Sequence, residues 1–498
     1  MINSLIHNYF SSRVLLVTLS LLLILISISS FIGFSRDTLE VYILDISNGN
    51  IFKTPHTSAR FILFTAGFLL LIYSFSRSLL KDSSPSLYMR LIAVYSIILF
   101  FILNLTTSNG LNYISIILTI ISIIYIIFYK KNISLNMNEK LLISSSLLIF
   151  YFFILSAAYH DSDLREVDNY SRFLFVIPLY IFLRDIQIKE TLVFDAINIS
   201  SILTGVFAIY LVILGGQDRV FGFTSSATIY SNISMLHFFL SFILLLYAKN
   251  NSRSIILPLA GSFFAIIAVI LSASRGPLLA IPLFFLFIIL NNKYLLFKIK
   301  YIVIGFLVLS FLIYSSGISN RVIDGYNDLK SQNLTNLRTS WKSTGSIIPR
   351  LIIWQGSINM IKDQPYLGVG LDNFNNHLVT QIESKKIPAI RLDPSNPSAG
   401  FNHGHNQYLD LFAKTGIFGL LIFLLVLFIY FRIFLRALNY KKDIMIFGIL
   451  GLVTVISYFA FMFTHVVLAH QHSILFMLYT LTIFASIISN RIKFEENK

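Results

Sequence analysis

The sequence predicts an all-α integral membrane protein, a polytopic bundle of about 14 transmembrane helices (12–14) with one large extramembranous loop. Three observations predict it. Of the 498 residues, 56% are hydrophobic and only 12% are charged, where a soluble domain carries roughly 25% charged residues. Apolar runs of about 20 residues, the length that crosses a bilayer, recur along most of the chain. They are also continuous, as in LLISSSLLIFYFFILSAAY, without the apolar–polar alternation of a membrane β-barrel.

The runs fall near 13–34, 60–76, 88–106, 112–129, 141–159, 172–184, 191–214, 228–248, 255–273, 276–291 and 301–317, then 408–434, 444–464 and 471–489. The first is too long for a signal peptide and lacks a small-residue cleavage site, so it reads as a retained helix. The chain thus divides into 1–317 with eleven spans, 318–407 as the large loop, and 408–498 with three spans and a short tail.

Orientation follows from the cations. Alternate short connections hold Arg77, Lys81 and Arg90, then Lys130, Lys131 and Lys140, then Arg184 and Lys189. Next come Lys249 and Arg253, then Lys293, Lys298 and Lys300, then Arg432, Arg436, Lys441 and Lys442. The opposite connections are nearly free of them: TTSNGLN and HVVLAHQH have no Lys or Arg, QDRVFGFTSS and SRG one each. By the positive-inside rule both termini are cytoplasmic and residues 318–407 are periplasmic. The net charge of +15 is therefore read as topology, not as a nucleic-acid surface. The absence of cysteine excludes disulfides, thiolate catalysis and Cys-held metals.

A polar loop as long as 318–407 is usually functional. Within it RLIIWQGSINMIKDQP sets Leu351, Trp354, Ile358 and Ile361 at helical spacing before Pro365 stops the pattern. This predicts an amphipathic helix over 350–362 lying on the bilayer or the bundle. At the loop's end stands the chain's densest polar cluster, NHGHNQYLDLFAKTGIFG. His405 opens the pattern H-N-x9-G-x-x-G, whose Gly416 and Gly419 fall inside the next span, where small residues let helices approach. His405 can serve as a general base, its unperturbed pKa being about 6.5, or it can be an interfacial histidine bonded to a carbonyl. His403 and Asn406 are candidates to support it.

Two cations share its side of the membrane. Arg275 in LSASRGPLLA has almost no loop to hold it in water, which is costly unless it faces a cavity or an anion or snorkels to the interface. Arg219 in GGQDRVFGF has Asp218 beside it, so a local ion pair competes with a ligand role. Two guanidinium forks facing one cavity suit a diphosphate. His465, His470 and His472 cluster near the last turn on this side and can support the same cavity. Asp161 and Asp163 in HDSDLREVD read as a solvated acidic loop and not a metal site. LGVGLDNF lacks the Lys and helix of a phosphate loop and reads as a turn. No cofactor, metal or nucleotide is expected.

These residues resemble the bacterial O-antigen ligase family. The resemblance rests on the His405 motif, on SRGPLLA, on the stretch from Arg350 through Trp354 and Pro365 to Phe374, and on DRVFGF and NRVIDGYNDL. It runs from about Arg219 to Gly419. It implies a GT-C-like, metal-independent, inverting glycosyltransferase of the bacterial inner membrane. Such an enzyme moves polysaccharide from undecaprenyl diphosphate to a sugar hydroxyl of lipid A–core. His405 would be the base, and Arg219 and Arg275 would hold the diphosphate. The same superfamily contains O-antigen polymerases, several with 14 spans where the ligases usually have 12, so a polymerase using the same donor is the alternative. A flippase would call for charges within the spans and internal repeats, whereas the spans here are nearly uncharged and no repeat is visible.

Overall fold

The computed structural model describes residues 85–130, 133–251, 253–291, 347–388, 390 and 401–496. The spans expected at 13–34, 60–76 and 301–317, and the loop residues 318–346, lie outside them. The described residues are all helix and connection, without strands.

In order, the helices are α1 (Pro85–Leu103), α2 (Gly110–Tyr129), α3 (Met137–Tyr159), α4 (Arg172–Leu183), α5 (Glu190–Ile213), α6 (Ala227–Asn250) and α7 (Ile256–Ser272). They continue as α8 (Ala280–Leu290), α9 (Ile347–Asp363), α10 (Phe374–Glu383), α11 (Gln407–Ala437), α12 (Lys442–Phe461) and α13 (Gln471–Glu496). Among the described residues, α2, α3, α5, α6, α11, α12 and α13 are long and apolar enough to cross a membrane. At about 1.5 Å per residue, the 12 residues of α4 reach only about 18 Å. The 3-10 segment Leu164–Ser171 extends it at its N-terminal end.

Burial separates a centre from a rim. Across their apolar windows α6 and α13 are 89% buried and α12 is 83% buried, against 39% for α3 and 44% for α2 and α11. The first group forms the middle of the bundle, and the second leaves a face for lipid. Inside the centre several hydroxyls bond back to their own helix, as Thr454 to the Leu450 carbonyl and Thr482 to that of Leu478, which satisfies them without a partner from another helix. Helices α5 and α7 approach so closely that a Cβ on Gly205 would stand 2.2 Å from the Phe264 carbonyl oxygen.

At the bundle end away from His405, charges pair. Arg184 meets Glu139 at 2.6 Å, Arg491 meets Glu190 and Asp443 at 3.0 and 3.1 Å, Lys493 meets Asp185 at 3.6 Å, and Lys130 and Arg253 pair with Asp185 and Glu190. Among the described residues, this end holds Lys130, Arg184 and Arg253, which the positive-inside reading groups together.

The loop builds a small core of its own. Ile352, Ile353 and Met360 of α9 pack with Phe374 and Leu378 of α10, with Val369, Ile387 and Ile390, and with Ala413 of α11. The helix expected over 350–362 is present, and its stripe divides: Ile361 packs against this core and Trp354 is half-buried, while Leu351 and Ile358 are exposed, at 38% and 37%. The buried stripe is displaced to Ile352, Ile353, Gly356, Ser357 and Met360. The reason is the partner. A helix lying on a bilayer buries its largest apolar stripe, whereas α9 docks on α10, where Gly356 lies against Leu378 and Ile387.

Candidate functional site

The site is assembled at one end of the bundle from four connections and the first turns of two helices. Its base is the loop 401–406 leading into α11. Asn406 caps that helix, its side-chain oxygen accepting the Tyr408 and Leu409 N–H groups at 3.0 and 3.2 Å, an ordinary use of Asn at this position. Gln407 fastens the cap to the turn after α12: its N–H donates to the Met462 carbonyl, and its side-chain oxygen accepts the Leu468 N–H, both at 2.8 Å. That turn carries His465 and His470.

Four imidazoles result. The rings of His403 and His405 lie 4.4 Å apart, those of His403 and His470 5.5 Å, and those of His465 and His470 4.8 Å. His472 points elsewhere, bonding the Asn104 carbonyl at 2.6 Å. Burial pushes the His405 pKa down to about 3, helped by His403 and Arg350 and opposed by Asp410. Burial likewise lowers His403 to about 4, helped by His470 and Lys414, and holds His465 well below its ordinary value. All three are neutral at pH 7, so each has a ring nitrogen able to accept a proton.

The cations stand beside them. The Arg219 guanidinium donates through Nε to the Ser272 carbonyl at 3.0 Å, and the Val220 N–H bonds the Leu271 carbonyl at 3.1 Å. The 214–226 loop is thereby fixed to the end of α7. Ala273 then turns the chain through a left-handed conformation, φ 50°, and Arg275 leads the 3-10 turn Gly276–Leu279. From the same 214–226 loop, the Ser225 hydroxyl pairs with His470 Nδ1 at 3.2 Å.

Sequence reasoning missed the residue that joins these parts. Arg350, in the first turn of α9, is half-buried and held below the usual arginine pKa by burial and by the charges of Arg275 and Arg219. Its own charge in turn lowers His403, His405 and His465. Arg350 therefore lies within electrostatic reach of both predicted arginines and of the predicted base. An Arg350 guanidinium that feels the charges of both Arg275 and Arg219 marks a region suited to an anion. The signal was in the sequence, where an Arg opens an otherwise apolar helix, but periodicity gave it no partner.

The first glycine of the motif has a local explanation. Gly416 interrupts α11 with φ 66° and ψ −170°, a region open essentially to glycine alone. The break lets the segment after α9 run against the helix. Ile417 N–H bonds the Pro365 carbonyl at 2.9 Å, Val369 N–H that of Ala413 at 2.9 Å, and Gly370 N–H that of Lys414 at 3.0 Å. Gly416 thus admits a loop backbone where the sequence suggested a helix–helix approach, whereas Gly419 does face a neighbouring helix, with Phe152 of α3 2.9 Å from where its Cβ would be. The turn read in LGVGLDNF is this docked segment. Asp372 pins it further by accepting from Ser162 Oγ at 2.7 Å and Asp163 N–H at 3.2 Å. Asp163 caps the following 3-10 turn through the Arg165 N–H. Among the described residues, no three His, Asp or Glu side chains converge as metal ligands.

Residues 260–424 match the family model described as O-Antigen ligase. Over that stretch the chain is similar to the O-antigen ligase family. The match takes in Arg275, Arg350 and His405 and supports ligase- or polymerase-type activity. A Haemophilus influenzae protein described as uncharacterized is 29% identical over 396 residues, covering 76% of this chain and 94% of its own. It extends the likeness well beyond the matched segment without adding a function.

Proposed function

We propose that this protein is an O-antigen ligase, transferring polysaccharide from undecaprenyl diphosphate to a sugar hydroxyl of lipid A–core at the periplasmic face of the inner membrane. The observation that supports it best is the junction at Arg350 of a cation group, Arg219 with Arg275, and a neutral imidazole group headed by His405. An anomeric carbon bearing diphosphate already has a good leaving group, so the reaction needs charge stabilisation and a base. The acceptor oxygen attacks the anomeric carbon from the side opposite the diphosphate. The carbon–oxygen bond to diphosphate breaks, the leaving oxygen keeps the electron pair between the arginines, and His405 takes the hydroxyl proton. Configuration inverts.

The low proton affinity of His405 fits a base that works only when loaded. Without substrate, burial and the Arg350 charge keep the imidazole neutral and weakly basic. A diphosphate among the arginines cancels that field and raises the imidazole toward useful basicity. The test is purified full-length protein with undecaprenyl-diphosphate-linked glycan and lipid A–core, scored for product. Transfer to lipid A–core supports the ligase. Growth of the lipid-linked chain with lipid A–core untouched assigns a polymerase instead.

A further inference from the structure

Two charged residues beside the site have no part in the scheme above. Asp410 and Lys414 lie one turn apart on α11, paired at 3.3 Å, and are only 2% and 7% exposed. Removing two charges from water is costly unless their remaining bonds are satisfied, and here both bonds go to one place. Asp410 Oδ1 accepts the Gly404 N–H at 2.8 Å, and Lys414 Nζ donates to the Asn402 carbonyl at 2.8 Å while standing 5.4 Å from the Phe374 ring centre. The pair therefore reaches back over the helix cap and grips the backbone on both sides of His403, directly before His405. His405 itself sits at φ 50°, a left-handed conformation that a non-glycine residue keeps only where its surroundings enforce it.

We propose that Asp410 and Lys414 are positioning residues for His405, the pair holding its loop in the left-handed turn and the Asp410 carboxylate supporting the imidazolium formed when His405 takes the acceptor proton. The proposal rests on the reading of His405 as the base. Among the described residues, the charged and titratable groups facing His405 are His403 from its own loop, Arg350 from α9, His465 and His470 from the turn after α12, and Asp410 from α11. Of these Asp410 is the one anion, and it favours the protonated ring. Lys414 partly neutralises that anion and also disfavours protonation of His403. Asp410 thus acts on the base directly and Lys414 opposes it through its pairing with Asp410, which a packing role would not do.

The test compares Asp410→Asn, Lys414→Gln and the double variant in the full-length protein, with kcat and KM followed against pH in the two-substrate assay. Asp410→Asn keeps an amide oxygen for the Gly404 N–H but loses the charge. Its kcat should fall to about a tenth or less, inside the roughly 10² to 10⁴ that a base contributes in all. KM should be little changed, and the rising limb of the profile should move to lower pH. Lys414→Gln should move that limb to higher pH, Lys414→Arg should restore it, and the double variant should return it near its original place. Limbs that stay fixed, or that move the same way in both single variants, overturn the proposal, as does a loss expressed only in KM. If one single variant does not fold, the other decides alone: its limb must move in its stated direction, and a fixed or oppositely moved limb overturns the proposal. His405→Ala separates the two levels: full activity there sinks the base itself, whereas an inactive His405→Ala with unmoved limbs in the pair sinks only the positioning role.

Discussion

Gly416→Ala should loosen the loop from the bundle, and the structure gives the size of the effect. A Cβ at this position would stand 2.0 Å from the Tyr366 carbonyl oxygen and 2.1 Å from its carbon. Both are backbone atoms, so no side-chain rotation relieves the contact. Alanine also meets a backbone conformation that costs about 1–3 kcal/mol outside glycine. The cheapest relief is for the 365–370 segment to withdraw. That gives up the three backbone bonds to Ala413, Lys414 and Ile417, at about 0.5–1.5 kcal/mol each. The total is on the order of 2–7 kcal/mol. Since 1.4 kcal/mol of misplacement already costs about tenfold in rate, transfer should drop by at least that factor. Limited trypsin digestion in detergent, followed by mass spectrometry, should show faster cutting at Lys385 and Lys386, with the membrane helices intact. Wild-type cutting and wild-type turnover in Gly416→Ala would refute the docking argument.

Arg350→Ala should impair transfer as severely as Arg275→Ala, and Arg350→Lys should recover part of it, because Lys keeps the charge but loses the fork; steady-state kinetics with varied donor measures both. Ile353→Ala, removing a fully buried side chain, should destabilise the loop core by about 2–5 kcal/mol, whereas exposed Ile358→Ala should stay within about 0.5 kcal/mol, as read by thermal unfolding. Stability should fall as pH drops from the ordinary histidine range near 6.5 toward 3. His405 and His403 take up protons readily once unfolded but poorly in the fold, so their stabilisation is complete above the unfolded pKa and is lost on acidification. His403→Gln/His405→Gln should flatten that slope in melting scans across pH. Chelation with EDTA should leave transfer unchanged.

How much of this was legible in the sequence depended on which interaction decided each feature. The lipid-facing and central helices were legible because burial in a bilayer needs only a continuous apolar run, and α5, α6, α11, α12 and α13 follow such runs closely. The site was half legible. His405, Arg219 and Arg275 stand out because polar groups at helix mouths are expensive. Arg350, Asp410 and Lys414 sit within helical patterns that explain them as surface charges, and only the tertiary contact between α9, α11 and the 402–404 backbone reveals otherwise. The face that α9 turns to the loop core was not legible for a related reason. Its sequence offers two apolar stripes one residue apart, and the choice between them is made by Gly356 and the partner helix α10, not by the stripe itself.

The staple between the 160s and Asp372 orders the biogenesis of the site. Ser162 and Asp163 leave the ribosome some 210 residues before Asp372, so one half of the latch is in place while the loop is still being made. The other half of the loop's seat, from Ala413 to Ile417, follows within about 50 residues of Asp372 and only as α11 enters the membrane. A chain stopped before α11 therefore has a latch with nothing to close against, and it lacks the cap that sets the histidines. The candidate site is therefore complete only once α11 and the turn after α12, with His465 and His470, have been made.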